Sequence, residues 1–410
     1  MTLDTDHLRA SYPALLDHMT SAGYSRNYIQ VVRQELRLIL ENPERWESYE
    51  DILRYHQKAS TNGKSPRKWK AILNLIASFD RYGSLPGEES GVSYFKRGLY
   101  YRLTDEYRAL IDFYQSHADR SRKKESTIHN ESHNAAAFLF HLQESGYDSL
   151  ESVTEEGVLA LLTNAAGRPS RSASYAGQIF AVLNGSQGFS PHCLRISMMI
   201  PSVRRCRKNI QYLRADEREK IREVLNNQDS GLNLRDRAIG CLLFYMGLRC
   251  CDVANLQLSD INWMEDSISI IQQKTAEPLR LPLSATVGNA IYDYLTRERG
   301  KSSEAHVFLS QCRPYKKLLP GSVGSLCGKI YRAANIRQNA GDRRGGHILR
   351  HNFATVMMEK GVSRAVISRT MGHSSPASTD IYLSADMVHL KACALSVEAF
   401  PVREGVFPGD

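Results

Sequence analysis

Apolar residues recur at helical spacing along most of the chain. Between Leu8 and Tyr82, Leu15, Leu16 and Met19, then Tyr28, Val31, Val32, Leu36, Ile39 and Leu40, fall on successive turns with no competing alternation, so this stretch predicts helices. The pattern breaks over Gly83 to Gly91, where a proline and paired acids cannot continue a helix, and this stretch reads as a linker. A second helical block runs from about Thr104 to Phe189. It opens on Tyr107-Arg-Ala-Leu-Ile-Asp, an echo of Tyr12-Pro-Ala-Leu-Leu-Asp, which is compatible with a duplicated module and also with two unrelated amphipathic bundles. Pro201 to Arg214 is a second linker that carries the basic stretch Arg-Arg-Cys-Arg-Lys at 204–208. A further helix begins near Ala215. After Asp260 the period shortens, and Ser267 to Ile271 and Leu279 to Leu283 flank a turn at Lys274-Thr-Ala-Glu-Pro, the pattern of a hairpin. From Gly321 the spacing is helical again, broken at Gly341 to Gly346, at Gly361 and at Ser374-Ser-Pro. The expected fold class is mainly α with a small antiparallel β-sheet in the last domain.

A length of 410 residues exceeds one ordinary core and predicts two or three domains. With 42% hydrophobic and 24% charged residues the chain has the composition of a globular protein and not of a disordered one. The net charge of +9 favours a polyanionic partner, nucleic acid before membrane surface. The longest apolar run, Ala238 to Leu248, is short of the roughly 20 residues that span a bilayer, and the first residues show no basic segment followed by an apolar one. A cytoplasmic protein with no membrane partner is expected. Its eight cysteines form no CxxC pair or Cys/His ligand spacing, so reduced thiols are expected.

Candidate chemistry gathers in the last 170 residues. Arg249 follows an apolar helix and the break at Gly247, which sets a guanidinium at an element end where it can fork onto a phosphate. Alone it reads better as an ordinary surface or ion-paired arginine, with Asp252 near enough to be its partner. His347 and Arg350 stand three apart, on one helical face, with Ile348 and Leu349 turned towards a core. Gly372-His373 follows a helix break, and Tyr382 lies nine residues on.

Taken in order, Gly-Leu-Arg249-x-x-Asp252, the hairpin Lys274, His347-x-x-Arg350-His351, Gly372-His373 and Tyr382 form a pattern that resembles the tyrosine recombinase, or phage integrase, family. The resemblance is dense from about Arg235 to Tyr382 and looser over Thr104 to Phe189, which looks like the family's core-binding domain. It implies α-helical N-terminal DNA-binding domains plus an α+β catalytic domain. The expected boundaries are 1–90 for an extra helical module, 95–200 for the core-binding domain, 201–214 for the linker, 215–386 for the catalytic domain and 387–410 for a tail. The resemblance further implies that Arg249, Arg350 and His373 hold the scissile phosphate and that Tyr382 attacks it, giving a 3′-phosphotyrosyl enzyme. His347 would be the base, Lys274 the acid for the leaving 5′-oxygen, and Asp252 a support for Arg249. Physical chemistry agrees, because a phosphodiester gains charge in the transition state and fixed cationic donors favour that state. A phenol of ordinary pKa about 10 needs a base to attack at neutral pH. The phosphotyrosyl bond keeps the energy of the broken link, so neither cofactor nor metal is expected.

Four basic clusters are candidate DNA contacts: Lys64, Arg67, Lys68 and Lys70; Arg120, Arg122, Lys123 and Lys124; Arg204, Arg205, Arg207 and Lys208; and Arg343 with Arg344. The apolar tail after Met387 is a candidate for docking on its own chain or on a neighbouring subunit. The expected partners are double-stranded DNA with specific recombination sites, further copies of the chain in a synaptic tetramer, and accessory DNA-bending or directionality proteins. A topoisomerase-like relaxing enzyme and a non-catalytic architectural DNA-binding protein are the alternatives.

Overall fold

The computed structural model describes residues 3–59, 66–87, 92–95, 98–203 and 211–372. Lys64, Arg204, Arg205, Arg207, Lys208, His373, Tyr382 and the tail 387–410 lie outside the described residues. Apart from the turn 22–25, the chain divides into an N-terminal unit that ends at Arg207 and a C-terminal unit that begins at Lys208.

The N-terminal unit opens with α1 (Thr5–Ser21), α2 (Arg26–Glu41), α3 (Tyr49–Ala59) and α4 (Pro66–Tyr82). Their apolar stripes meet through Leu15, Met19, Leu36, Ile39, Ile52 and Ile72, all nearly inaccessible to solvent. One polar pair is buried with them. His56 Nε2 lies 2.8 Å from Glu35 Oε1, and its ring stacks on Trp69 with centroids 4.1 Å apart, so neither polar group is left unsatisfied. The stretch that reads as a linker does not leave this bundle at once. Tyr94 donates to Glu50 at 3.0 Å, the Phe95 amide donates to Asn74 Oδ1 at 2.8 Å, and the Phe95 ring is buried. Two aromatic side chains at 94 and 95 thus tie the chain back to the first bundle.

The same unit continues with α5 (Asp105–His117), α6 (Glu125–Glu144), α7 (Glu155–Leu162), α8 (Ala173–Gly185) and α9 (Pro191–Met198). Thr104, Thr154, Ser172 and Ser190 begin α5, α7, α8 and α9, and each side-chain oxygen accepts from an amide two or three residues on. Caps of this kind are worth about 1 kcal/mol apiece. The five helices close over a core that includes Tyr107, Phe138 and Ile179, with the Tyr107 hydroxyl donating to the Tyr147 carbonyl at 2.6 Å.

The C-terminal unit comprises α10 (Ala215–Asn226), α11 (Leu234–Tyr245), α12 (Cys250–Ala254), β1 (Ile261–Asn262), β2 (Ser267–Ile271), β3 (Pro278–Pro282), α13 (Ala285–Arg297), α14 (Pro320–Ala333), α15 (Gly346–Glu359) and α16 (Arg364–Met371). The apolar run from Ala238 has no periodicity because α11 is buried on every side, packed by α13, α14 and α15. The charges at its start are neutralised in place: Asp236 accepts from Arg235 at 2.8 Å and from Lys329 at 2.7 Å. The sheet runs β1-β2-β3, antiparallel throughout, with Ile268 opposite Leu281 and Ile270 opposite Leu279 on the buried face. The chain is mainly helical with a small antiparallel sheet, as its pattern predicts; β1, two residues long, carries no sequence signal. Among the described residues, no helix is long and apolar enough to cross a membrane. Cysteines 193, 241, 250, 251, 312 and 327 are free thiols.

Candidate active site

The site starts at Gly247. Its φ is +64°, and a Cβ there would stand 2.5 Å from the Phe353 ring of α15, so only glycine permits both the turn out of α11 and the close approach of α15. The turn sets Arg249 at the N-cap of α12 with its side chain only 10% exposed. One terminal nitrogen, Nη2, donates to the Gly372 carbonyl at 3.0 Å. The other, Nη1, is buried and has no hydrogen-bond partner among the described residues; the nearest carboxylate oxygen, Asp252 Oδ2, is 3.9 Å away and equally unpartnered. Asp252 spends its second oxygen elsewhere, accepting from the Gln273 amide at 2.9 Å. It therefore pins the hairpin turn at least as firmly as it faces Arg249.

That turn, residues 272–277 between β2 and β3, carries Lys274 on its exposed side. From the opposite direction comes α15, with Ile348 and Leu349 in the core and the flanking polar residues 347, 350 and 351 turned to the site. Arg350 is 4% exposed, and its guanidinium donates to the Gly247 carbonyl at 2.7 Å and to the Met371 carbonyl. A guanidinium has five N–H donors in one plane, and two carbonyls of this kind fix that plane. The His347 and His351 rings lie side by side one turn apart, centroids 6.3 Å.

Electrostatics bind these pieces into one site. Partial desolvation and the positive charges of Arg350, Lys274 and Arg249 hold the His347 imidazole below the ordinary histidine range. Three cations from three separate elements thus act on one ring. His347 is at the solvent edge, neutral at pH 7 and able to take a proton. His351 is pushed down to about 4 by burial, then by His347, Arg350 and Arg343.

The His351 shift has a consequence for stability. An unfolded histidine takes a proton below its ordinary value of 6.5, whereas folded His351 takes one only near 4. Its contribution is therefore complete above pH 6.5 and is lost as pH falls towards 4. Urea unfolding at pH 7 and pH 5 is expected to show a loss of stability at the lower pH that shrinks in His351→Gln; an identical loss in both proteins would contradict this.

The candidate DNA contacts fare unequally. Arg67 and Lys68 are exposed in the first turn of α4, and Lys70 holds its ammonium 5.8 Å above the Phe95 ring. Arg120 pairs with Glu125 at 2.6 Å and Arg122 with Asp119 at 3.4 Å, both at the surface. Lys123 is turned inward, its ammonium 2.8 Å from the Tyr114 hydroxyl and 3.0 Å from Glu131. Lys124 is the N-cap of α6. Arg343 is exposed on the loop before α15, while Arg344 donates to the Asn339 carbonyl at 2.9 Å. What the sequence does not disclose is the backbone half of the site, the carbonyls of Gly247, Met371 and Gly372 that orient both arginines. Nor does it disclose Gln272, which is buried and donates to the Met371 carbonyl, since its partner lies far along the chain.

The sequence profile of the phage integrase family matches residues 211–389. A protein of Sinorhizobium fredii named an integrase/recombinase, y4gC, is 34% identical over 184 residues, which are 44% of this chain and 94% of that one. Tyrosine recombinase XerA of Pyrococcus furiosus is 30% identical over 199 residues, 48% of this chain and 64% of the relative. Among solved structures, the XerH site-specific recombinase bound to its difH substrate, in a pre-cleavage complex, matches 70% of this chain and 94% of its own with a TM-score of 0.50 at 16% identity. The post-cleavage complex of XerH on palindromic difH matches 84% and 93%, also at 0.50, with 18% identity. At such identities the likeness is one of fold. The chain belongs to the phage integrase family and is an enzyme of the tyrosine recombinase type.

Proposed function

We propose that the chain is a site-specific DNA recombinase that cuts and rejoins strands by transesterification through Tyr382. The observation that carries this reading is that Arg249 and Arg350 are held on the adjacent carbonyls of Gly372 and Met371, with Lys274 close enough to act on the same imidazole, and that the buried Arg249 Nη1 has no hydrogen-bond partner among the described residues beyond a long ion pair to Asp252. Three clustered cations repel one another and make an anion the natural occupant. In the proposed step a DNA phosphodiester lies between Arg249 and Arg350, with His373 as a further donor. Neutral His347 takes the phenolic proton of Tyr382, whose oxygen bonds to phosphorus while the bond to the 5′-oxygen breaks. Lys274 supplies the proton to that oxygen. Reversal on a second strand exchanges partners without nucleotide hydrolysis. His373 and Tyr382 enter from their order in the sequence, two positions after Met371 and eleven after it. The relatives named recombinases, and the XerH complexes with difH, support DNA as the substrate.

In this reading α5 to α9 form the core-binding domain and the basic stretch 204–208 follows the duplex to the catalytic domain. The bundle of α1 to α4 adds a further DNA or protein contact through Arg67 and Lys68. Synapsis in a tetramer, with the tail after residue 387 joining subunits, would supply the second duplex. The product is integration, excision, resolution or transposition according to the DNA sites presented.

A nicked suicide substrate tests this against the two rivals. The expected result is a covalent protein–DNA adduct whose bound strand is then transferred to a second duplex. Adduct without transfer between duplexes, together with relaxation of supercoiled DNA, would favour a topoisomerase-like enzyme; binding without adduct would leave only an architectural protein.

A further inference from the structure

Gln272 is completely buried at the first position of the turn that carries Lys274. Burying an amide is costly unless both ends are bonded, and here each end has a different client. Its Oε1 accepts from the Thr275 hydroxyl at 2.8 Å, inside the turn; its Nε2 donates to the Met371 carbonyl at 3.4 Å, outside it. The fit is close. A Cβ on Gly372, whose φ is +59°, would stand 2.2 Å from both atoms of the Gln272 amide, so the glycine lets the amide lie directly on the backbone. The same stretch of backbone serves the arginines, since the Met371 carbonyl also accepts from Arg350 and the adjoining Gly372 carbonyl from Arg249.

We infer that Gln272 is a positioning residue, which registers the Lys274 turn against the 371–372 backbone so that the leaving-group acid stands at a fixed place relative to the arginine clamp. The inference rests on the role proposed above for Lys274. The arginines have other anchors: Arg350 also holds the Gly247 carbonyl, and Arg249 bonds to Gly372 independently of Gln272. The turn has fewer. Besides the Gln272 side chain it is closed by its own backbone bonds, Gln272 N to Glu277 O and Ala276 N to Gln272 O, and tied outward by Gln273 N to Asp252. Loss of the Gln272 amide should therefore displace Lys274 and spare the clamp.

Leaving-group chemistry separates these effects. In a suicide duplex whose scissile 5′-oxygen is replaced by sulfur, the bond from Tyr382 to phosphorus forms as before, and the P–S bond breaks with its electron pair on sulfur. A thiol has a pKa of about 8.5, so its thiolate departs without a proton donor. Single-turnover cleavage of oxygen and sulfur substrates would be measured for the full chain and for Lys274→Ala, Gln272→Leu and Gln272→Glu. Gln272→Leu keeps the bulk and removes both bonds; Gln272→Glu keeps the acceptor for Thr275 and removes the donor to Met371. Lys274→Ala is expected to lose on the order of 10²-fold on oxygen and to recover on sulfur. Both Gln272 variants are expected to lose about 10- to 100-fold on oxygen, the range of a small misplacement, and to stay within about threefold of wild type on sulfur. Recovery on sulfur would also demonstrate that the variants fold. If Lys274→Ala recovers while the Gln272 variants lose equally on both substrates, or lose on neither, the positioning role is wrong and the acid assignment stands. If Lys274→Ala itself fails to recover, the acid assignment falls and the inference with it.

Discussion

Arg350→Ala is expected to lower the single-turnover rate of strand cleavage on the order of 10³-fold at saturating DNA, the scale seen when one preorganised donor to a developing charge is lost. The side chain is buried, and its fork is held in plane by the Gly247 and Met371 carbonyls, so its donors are fixed in place before DNA arrives. Removal also leaves the Gly247 carbonyl short of this donor, at about 1–3 kcal/mol where no water enters, while the Met371 carbonyl keeps the Gln272 amide. Reduced stability should therefore accompany the loss of rate. Arg350→Lys separates the two roles of charge and shape: it keeps the cation and loses the planar fork, and is expected to recover little of the rate. DNA affinity, set by many phosphate contacts, should change much less than the chemical step. A loss below tenfold in Arg350→Ala would place the phosphate elsewhere.

Much of this site is legible in the sequence because its parts are local patterns. His347 and Arg350 share a helical face by spacing alone, and Ile348 and Leu349 enter the core as the same spacing requires. The hairpin that presents Lys274 follows from two short alternating runs and the turn between them. Gly247 marks the break that places Arg249 at the head of α12. The remainder depends on residues far apart along the chain. Arg249 meets the Gly372 carbonyl across 123 positions, and Gln272 meets Met371 across 99. No window of a single sequence contains such pairs, and backbone carbonyls carry no residue signature at all. Asp252 shows both sides of this: its ion pair with Arg249, at 3.9 Å, lies within three positions, whereas its bond from the Gln273 amide, at 2.9 Å, spans 21. Lys123 belongs to a basic run by sequence, yet burial of Glu131 draws its ammonium inward. The strap at Tyr94 and Phe95 was hidden for a related reason, since the polar residues before it obey linker composition while two aromatic rings afterwards find the first bundle.

Tyr382→Phe is expected to have the largest effect of any substitution, because it removes the proposed nucleophile while leaving the proposed clamp, base and acid in place. Binding of the duplex should persist, and neither cleavage nor rejoining should be detectable. Removal of a donor slows such a reaction; removal of the attacking oxygen denies the covalent path altogether.

The central claim is therefore tested most directly by trapping the full chain on a nicked suicide duplex, digesting the covalent complex and mapping the DNA-bearing peptide by mass spectrometry. A single phosphotyrosyl peptide containing Tyr382, joined to the 3′ end of the cleaved strand and missing in Tyr382→Phe, is the predicted result. An adduct on another residue, or one that survives in Tyr382→Phe, would contradict it.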